Sequence, residues 1–179
     1  MSDAIDLKKH IRSIPDFPKP GILFYDISTL LAHPKAWHAT IERLADALRP
    51  YKPDTLAGIE SRGFLLAAPL AVALGTGFVM LRKQGKLPGT TVRHTYALEY
   101  GTDTIEMHVD GCAAGEKVML IDDLIATGGT ALAALKLLRD GGAEVVAAAF
   151  VVDLPDLGGA DKLRAAGVPV SCLTEFGGH

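Results

Sequence analysis

Val118-Met119-Leu120-Ile121-Asp122-Asp123-Leu124-Ile125-Ala126-Thr127-Gly128-Gly129-Thr130 is the stretch whose reading decides the fold. Apolar residues running straight into two acids describe a strand buried on both faces, with its carboxyl end open to a site. The small, hydroxyl-rich segment from Ala126 to Thr130 follows, and then an Ala- and Leu-rich run to Leu138 that favours helix. A helix start of this kind gathers backbone N–H groups at the positive end of the helix dipole, which is a receptacle for a phosphate. Gly128 and Gly129 let the backbone come close, while Thr127 and Thr130 add hydroxyl donors. Carboxylates beside a phosphate repel it unless they face another part of the ligand. Asp122 and Asp123, as acceptor-only groups, suit the two hydroxyls of a ribose, so the stretch as a whole fits a ribose 5-phosphate. A glycine-threonine loop alone reads as a plain helix cap; it is the strand, acid pair and loop together that carry the ribose reading.

Working outward, residues 117–123, 130–139 and 144–152 form a strand-helix-strand unit, and residues 55–60, 64–74 and 77–82 form another, with Ser61-Arg62-Gly63 as a turn and Pro69 placed to kink its helix. The continuous apolar strands predict an α/β fold, a central mostly parallel sheet flanked by helices. Ligands of such sheets lie at the carboxyl ends of the strands, where Glu60, Ser61, Arg62, Arg82, Lys83, Asp122 and Asp123 all stand. Pro34–Leu48 is a helix with Pro34 in its first turn and Trp37 on its core face, and residues 162–166 and 169–174 give a last helix and strand. Gly58 to Phe64 has glycines at P-loop spacing but lacks the Lys-Ser/Thr, and no Gly-x-Gly-x-x-Gly follows a strand.

The flanking segments belong to neither unit. Residues 84–93 are polar and glycine-rich, and residues 95–100 and 104–109 read as a hairpin, so residues 84–109 are expected to be a flexible hood. Alternation along the first hairpin strand puts Glu99 with Thr95 and Ala97, opposite Tyr96, Leu98 and Tyr100, and makes Glu99 the only acid on its face. A carboxyl on a closing flap loses water and gains proton affinity, which fits it to serve a purine nitrogen. Arg62, Arg82, Lys83 and Lys86 cluster at the strand ends and the start of the hood, and suit a highly charged group such as a diphosphate with Mg²⁺. At the amino end, residues 4–14 space Ile5, Leu7, Ile11 and Ile14 as a short amphipathic helix, an arm rather than core. The aromatic, proline-rich run from Phe17 to Ser28 that follows either covers a core edge or walls a flat ligand.

At 179 residues the chain is read as one domain, able to bury roughly 70% of its unfolded surface. A net charge of -3 argues against a life on nucleic acid phosphates. Cys112 and Cys172 are too few for a disulfide framework, no leader is evident at the start, and no apolar run reaches the ~18 residues of a membrane span. The expectation is a soluble, cytoplasmic protein with no membrane partner.

The stretch from Val118 to Thr130 resembles the phosphoribosyl-diphosphate signature of type I phosphoribosyltransferases. The likeness narrows to the adenine-using branch of that family through Asp16 to Ser28, Glu60-Ser61-Arg62-Gly63-Phe64, Arg82 to Gly89 and Tyr96 to Gly101, which occur in order over nearly the whole chain. The resemblance implies transfer of a ribosyl 5-phosphate from phosphoribosyl diphosphate to adenine, giving AMP and pyrophosphate with Mg²⁺. It assigns Ala126 to Thr130 to the 5-phosphate, Asp122 and Asp123 to the ribose, and Ser61, Arg62 and Lys83 to the diphosphate. It further assigns Leu124, Leu23, Phe24 and Tyr25 to the base and Glu99 to acid catalysis, and it implies a homodimer with Arg82 placed to act across the interface. Tyr25 departs from the family, many of whose members have Arg there. Two alternatives stand beside this reading: a transferase for a 6-oxopurine or orotate, and a non-catalytic nucleotide sensor, against which the lack of a basic nucleic-acid-binding segment weighs.

Overall fold

The structure is a computed structural model that describes residues 4–98 and 100–178. Strands β1 (Arg12–Pro15) and β2 (Leu23–Asp26) pair antiparallel ahead of helices α1 (Ser28–Ala32) and α2 (Pro34–Leu48). The body then runs β3 (Thr55–Ile59), α3 (Arg62–Leu74), β4 (Gly77–Lys83), β5 (Thr91–Ala97) and β6 (Thr102–His108). It closes with β7 (Lys117–Ile125), α4 (Gly129–Asp140), β8 (Glu144–Asp153), α5 (Gly159–Ala165) and β9 (Val170–Glu175). Seven strands make one sheet in the order β5-β6-β4-β3-β7-β8-β9, parallel from β4 to β9, with the β5–β6 hairpin added antiparallel at one edge.

The two-residue period of β7 explains its central place. Met119 and Ile121 point into a core shared with α2 and α3, while Val118 and Leu120 point into a second core shared with α4 and α5. Pro34 occupies the first turn of α2 and the His33 ring accepts the Ala36 N–H at 3.2 Å, so the helix starts where the sequence predicts. Its Leu44 and Leu48 are 0% exposed, and each contributes about 2 kcal/mol of apolar burial.

From β3 the chain winds through α3 to β4 on one side, and from β7 through α4 to β8 on the other. β3 and β7 are neighbours, so the crossovers diverge between them and open a crevice at their carboxyl ends.

The amino-terminal segment differs from its prediction. Residues 7–10 make only a 3₁₀ turn capped by Asp6, and residues 12–15 become β1 instead of continuing a helix. Leu7 and Ile11 are 1% and 7% exposed and belong to the core, so this is no loose arm. The apolar spacing satisfied a helical period, but pairing with the otherwise open edge of β2 prevailed. The hood hairpin lies earlier than predicted, with strands at 91–97 and 102–108. Among the described residues, no helix is long and apolar enough to cross a membrane.

Candidate active site

A cavity of about 390 Å³ occupies the crevice where the sheet's winding reverses. Glu60 and Arg62 enter it from the end of β3, Arg82 and Lys83 from β4, and Asp122 to Thr130 from β7 and the loop into α4. Ser61 borders a smaller neighbouring hollow with Arg62, Lys83 and the two aspartates, and the Glu60–Ser61 peptide is cis. Gly63 makes the assembly possible, because a Cβ there would stand 2.8 Å from the Ile121 carbonyl and 3.2 Å from Asp122 Oδ1. Its absence lets the first turn of α3 press against β7 and brings Arg62 onto Asp123.

The cations are placed by acids. Arg62 Nε donates to Asp123 Oδ2, and that carboxylate is 4% exposed as a residue. Asp122 Oδ1 accepts the Asp123 N–H at 2.8 Å. Burial first, and then the adjacent Asp123 charge, push the Asp122 carboxyl well above the usual aspartate range. Glu60 takes one edge of the Arg82 guanidinium, Nε at 3.2 Å and Nη2 at 3.3 Å, and the Lys83 N–H at 2.9 Å. Burial acts to raise the Glu60 carboxyl, but the Lys83 N–H and the Arg82 guanidinium outweigh it and hold it below its ordinary value. Lys83 Nζ lies 3.4 Å from Asp103 of β6.

The loop from β7 into α4 is shaped by main chain. Gly128 caps α4 at φ +85°, a conformation that suits glycine, and sits against Gly159, where a Cβ on Gly128 would meet Gly159 Cα at 2.9 Å. Lys162 Nζ donates to the Thr127 carbonyl at 2.9 Å, tying the loop to α5. Thr127, Gly128, Gly129 and Thr130 all line the cavity, with the amino terminus of α4 behind them.

The predicted base contacts are placed differently from one another. Leu124 lines the cavity. Phe24 stands beneath the Arg62 guanidinium at 5.3 Å and meets Phe17 edge-on at 5.1 Å. Leu23 is exposed, Tyr25 is 5% exposed and stacked on Phe176 at 4.3 Å, and none of Leu23, Phe24 and Tyr25 lines the cavity. Burial raises the Tyr25 phenol. Lys8 Nζ lies over the Phe176 ring at 4.6 Å. The whole β1–β2 ribbon is clamped by Asp26, which accepts Arg12 Nε at 3.1 Å and the Ser28 N–H at 2.8 Å. The Ser28 hydroxyl first, and then Arg12, lower the Asp26 carboxyl to about 2. Lys86 is exposed outside the cavity, and its carbonyl accepts Arg82 at 3.2 Å. Glu99 lies outside the described residues; its neighbour Leu98 lines the cavity.

Sequence reasoning noticed Glu60 without assigning it and passed over Tyr96, Asp103 and Phe176. Alternation alone marked Tyr96, since its face of β5, and not that of Thr95 and Ala97, is the one turned to the cavity.

The sequence of residues 26–173 matches the family model of the phosphoribosyl transferase domain. An adenine phosphoribosyltransferase of Rhodospirillum centenum is 61% identical over 96% of this chain and 99% of its own. The chain belongs to the adenine phosphoribosyltransferase family. Solved structures of the family superpose closely. That of the Thermoanaerobacter pseudethanolicus adenine phosphoribosyltransferase matches with a TM-score of 0.91 at 48% identity, over 95% of this chain and 98% of the other. The Saccharomyces cerevisiae adenine phosphoribosyltransferase, complexed with adenine and an imino-altritol bisphosphate, matches at 0.86 and 41%, over 93% and 96%. These neighbours establish the α/β fold with its parallel sheet and separate hairpin as that of the type I phosphoribosyltransferases.

Proposed function

We propose that this member of the adenine phosphoribosyltransferase family transfers the ribosyl 5-phosphate of phosphoribosyl diphosphate to N9 of adenine, releasing pyrophosphate and giving AMP. The observation that carries the reading is the Asp122–Asp123 pair, which leads within one cavity into the amide-lined loop from Ala126 to Thr130. In the reaction the C1′–N9 bond forms as the C1′–diphosphate bond breaks, and positive charge gathers on the sugar. The acid pair holds the ribose hydroxyls, the loop holds the 5-phosphate, and Ser61, Arg62, Arg82 and Lys83 receive the departing diphosphate. Leu124 in the cavity, with Phe24 against the Arg62 guanidinium, supports a flat base. Glu99, from the hood, serves the purine: its carboxylate takes the ring proton that adenine loses as N9 bonds to C1′ and, as the catalytic acid, returns it in the reverse direction, and closure of the hood excludes water that would hydrolyse the sugar cation.

Mg²⁺ fits this arrangement as a passenger of the substrate. Among the described residues no three acids, histidines or cysteines converge on a metal cage, and Mg²⁺ is held in such sites by one or two carboxylates and the substrate's own oxygens. Glu60, Asp103, Asp122 and Asp123 are the carboxylates that line the cavity, of which the resemblance gives the two adjacent aspartates to the ribose, and the ion would neutralise diphosphate charge when bound.

The chain acts as a homodimer in this reading. The outward face of α3 exposes Leu65 (47%) and Val72 (84%), beside Met80 (40%) on β4, an apolar patch suited to a second copy. Residues 1–179 are taken as a single catalytic domain, with 84–109 as its hood. Its place of action is the cytoplasm, which suits the two unpaired cysteines.

Competition of adenine, 6-oxopurines and orotate for one labelled phosphoribosyl donor tests the proposal. Consumption of adenine alone is expected; preference for another base transfers the reading to that base, and donor binding without turnover supports a sensor instead.

A further inference from the structure

Tyr96 and Asp103 are direct cross-strand partners in the β5–β6 hairpin, so their side chains leave the same face of the ribbon. That face is turned to the cavity, and both residues line it. The Tyr96 hydroxyl lies 3.2 Å from Thr130 Oγ1 at the start of α4, while Asp103 lies 3.4 Å from Lys83 Nζ at the end of β4. One rung of the hairpin therefore touches both ends of the cavity. The rung is also firmly held. β6 pairs with β4 at Arg82 and Lys83, and Ile105 and Met107 anchor it in the core at 4% and 2% exposure. The Asp103 carboxylate is fixed further by the Thr104 N–H at 2.8 Å.

We infer that Tyr96 and Asp103 are positioning residues for phosphoribosyl diphosphate, a strut that holds the Thr130 hydroxyl for the 5-phosphate and the Lys83 ammonium for the diphosphate. The inference rests on the phosphoribosyl reading of the cavity. The Tyr96 and Thr130 hydroxyls share one hydrogen bond, in which either can donate, and this contact fixes the position of the Thr130 side chain at the phosphate cradle. Burial raises the Tyr96 phenol, which keeps it neutral at physiological pH. Asp103 pairs with the Lys83 ammonium and holds it at the diphosphate end of the cavity. The strut leaves the base end untouched, and this separates it from a general stabilising role.

The test is calorimetric titration of the full chain with ribose 5-phosphate and, separately, with inorganic pyrophosphate. Tyr96→Phe, which removes one oxygen and keeps the ring, is expected to weaken ribose 5-phosphate about 3- to 10-fold and leave pyrophosphate unchanged, the loss of one hydrogen bond. Asp103→Asn is expected to do the reverse. In steady state both variants raise KM for phosphoribosyl diphosphate by a similar factor and leave KM for adenine within about 2-fold. In a Thr130→Ala background, Tyr96→Phe is expected to add nothing. Unchanged ribose 5-phosphate affinity in Tyr96→Phe, an equal rise in both KM values, or independent effects of Tyr96→Phe and Thr130→Ala overturns the strut. If the unaltered chain binds neither ribose 5-phosphate nor pyrophosphate, the phosphoribosyl reading itself falls.

Discussion

The two ends of the cavity are made in opposite ways. At the end proposed for the 5-phosphate, thirteen consecutive residues, Val118 to Thr130, supply strand, acids, loop and helix start, and the groups proposed to bind are largely main-chain amides. At the base end, β2 has only β1 beside it in the sheet, and its side chains are set by residues far away in sequence: Arg12 on Asp26, Phe176 on Tyr25 and Lys8 on Phe176. A site made of contiguous backbone is defined by local geometry and is hard to perturb from a distance. A site assembled from both termini is exposed to changes at either one. The contrast predicts that substitutions at one end leave the other's ligand alone.

The largest expected effect is at the phosphate end. Asp122→Asn combined with Asp123→Asn replaces both carboxyl groups with amides, so affinity for phosphoribosyl diphosphate is expected to fall by ~10²-fold or more while adenine-dependent fluorescence or calorimetric signals survive. Retained donor affinity in a titration would place the ribose elsewhere. Glu99→Leu comes next: kcat is expected to drop about 10²-fold with donor binding intact, and an unaltered kcat removes Glu99 from the chemistry. Third is Phe176→Ala, which deprives Tyr25 of its stacking partner. KM for adenine is expected to rise about 5-fold with donor KM constant, and stability to fall by roughly 1 kcal/mol on chemical denaturation. A parallel rise in both KM values would show that the two ends are not independent.

The smallest effect concerns acid. Asp26 ionises more readily in the folded chain, at about 2, than the ordinary aspartate does in the unfolded one. Between those pKa values the unfolded state binds more protons, so the stabilisation is complete above the ordinary aspartate range and is lost as pH falls toward 2. Thermal unfolding of Asp26→Asn is expected to show a shallower decline across that window than the parent chain. Identical slopes would mean that the Arg12–Asp26 clamp contributes nothing to the base ribbon.

The same contrast explains what could be read from the letters alone. The strand-loop-helix of residues 117–140, the helix Pro34–Leu48 and the pair of strand-helix-strand units announce themselves through short-range periodicity and capping, and the structure reproduces them to within a residue or two. The ribbon β1–β2 did not, because the apolar spacing of Ile5, Leu7 and Ile11 fits a helix as well as it fits anchoring in a core. Phe176 carried no local signal at all, since its meaning lies in a ring about 150 positions earlier. Arg62 was read as a diphosphate ligand, and its bond to Asp123 depends on Gly63, whose missing Cβ is informative only once β7 is known to lie against it. Tyr96 sat on the strand face opposite Glu99, and the reading followed the acid.

The contact between Gly128 and Gly159 extends the cradle's requirements beyond its own motif. A methyl group on Gly159 would collide with the Ala126 carbonyl and press the Gly128 amide at 2.7 Å, from behind the loop and out of sight of any ligand. Residue 159 is thereby as unforgiving as the glycines of the loop it supports. Anyone transplanting the segment from Asp122 to Thr130 into another parallel sheet has to carry residues 158–160 along with it, as a backing plate that keeps the amides aimed inward.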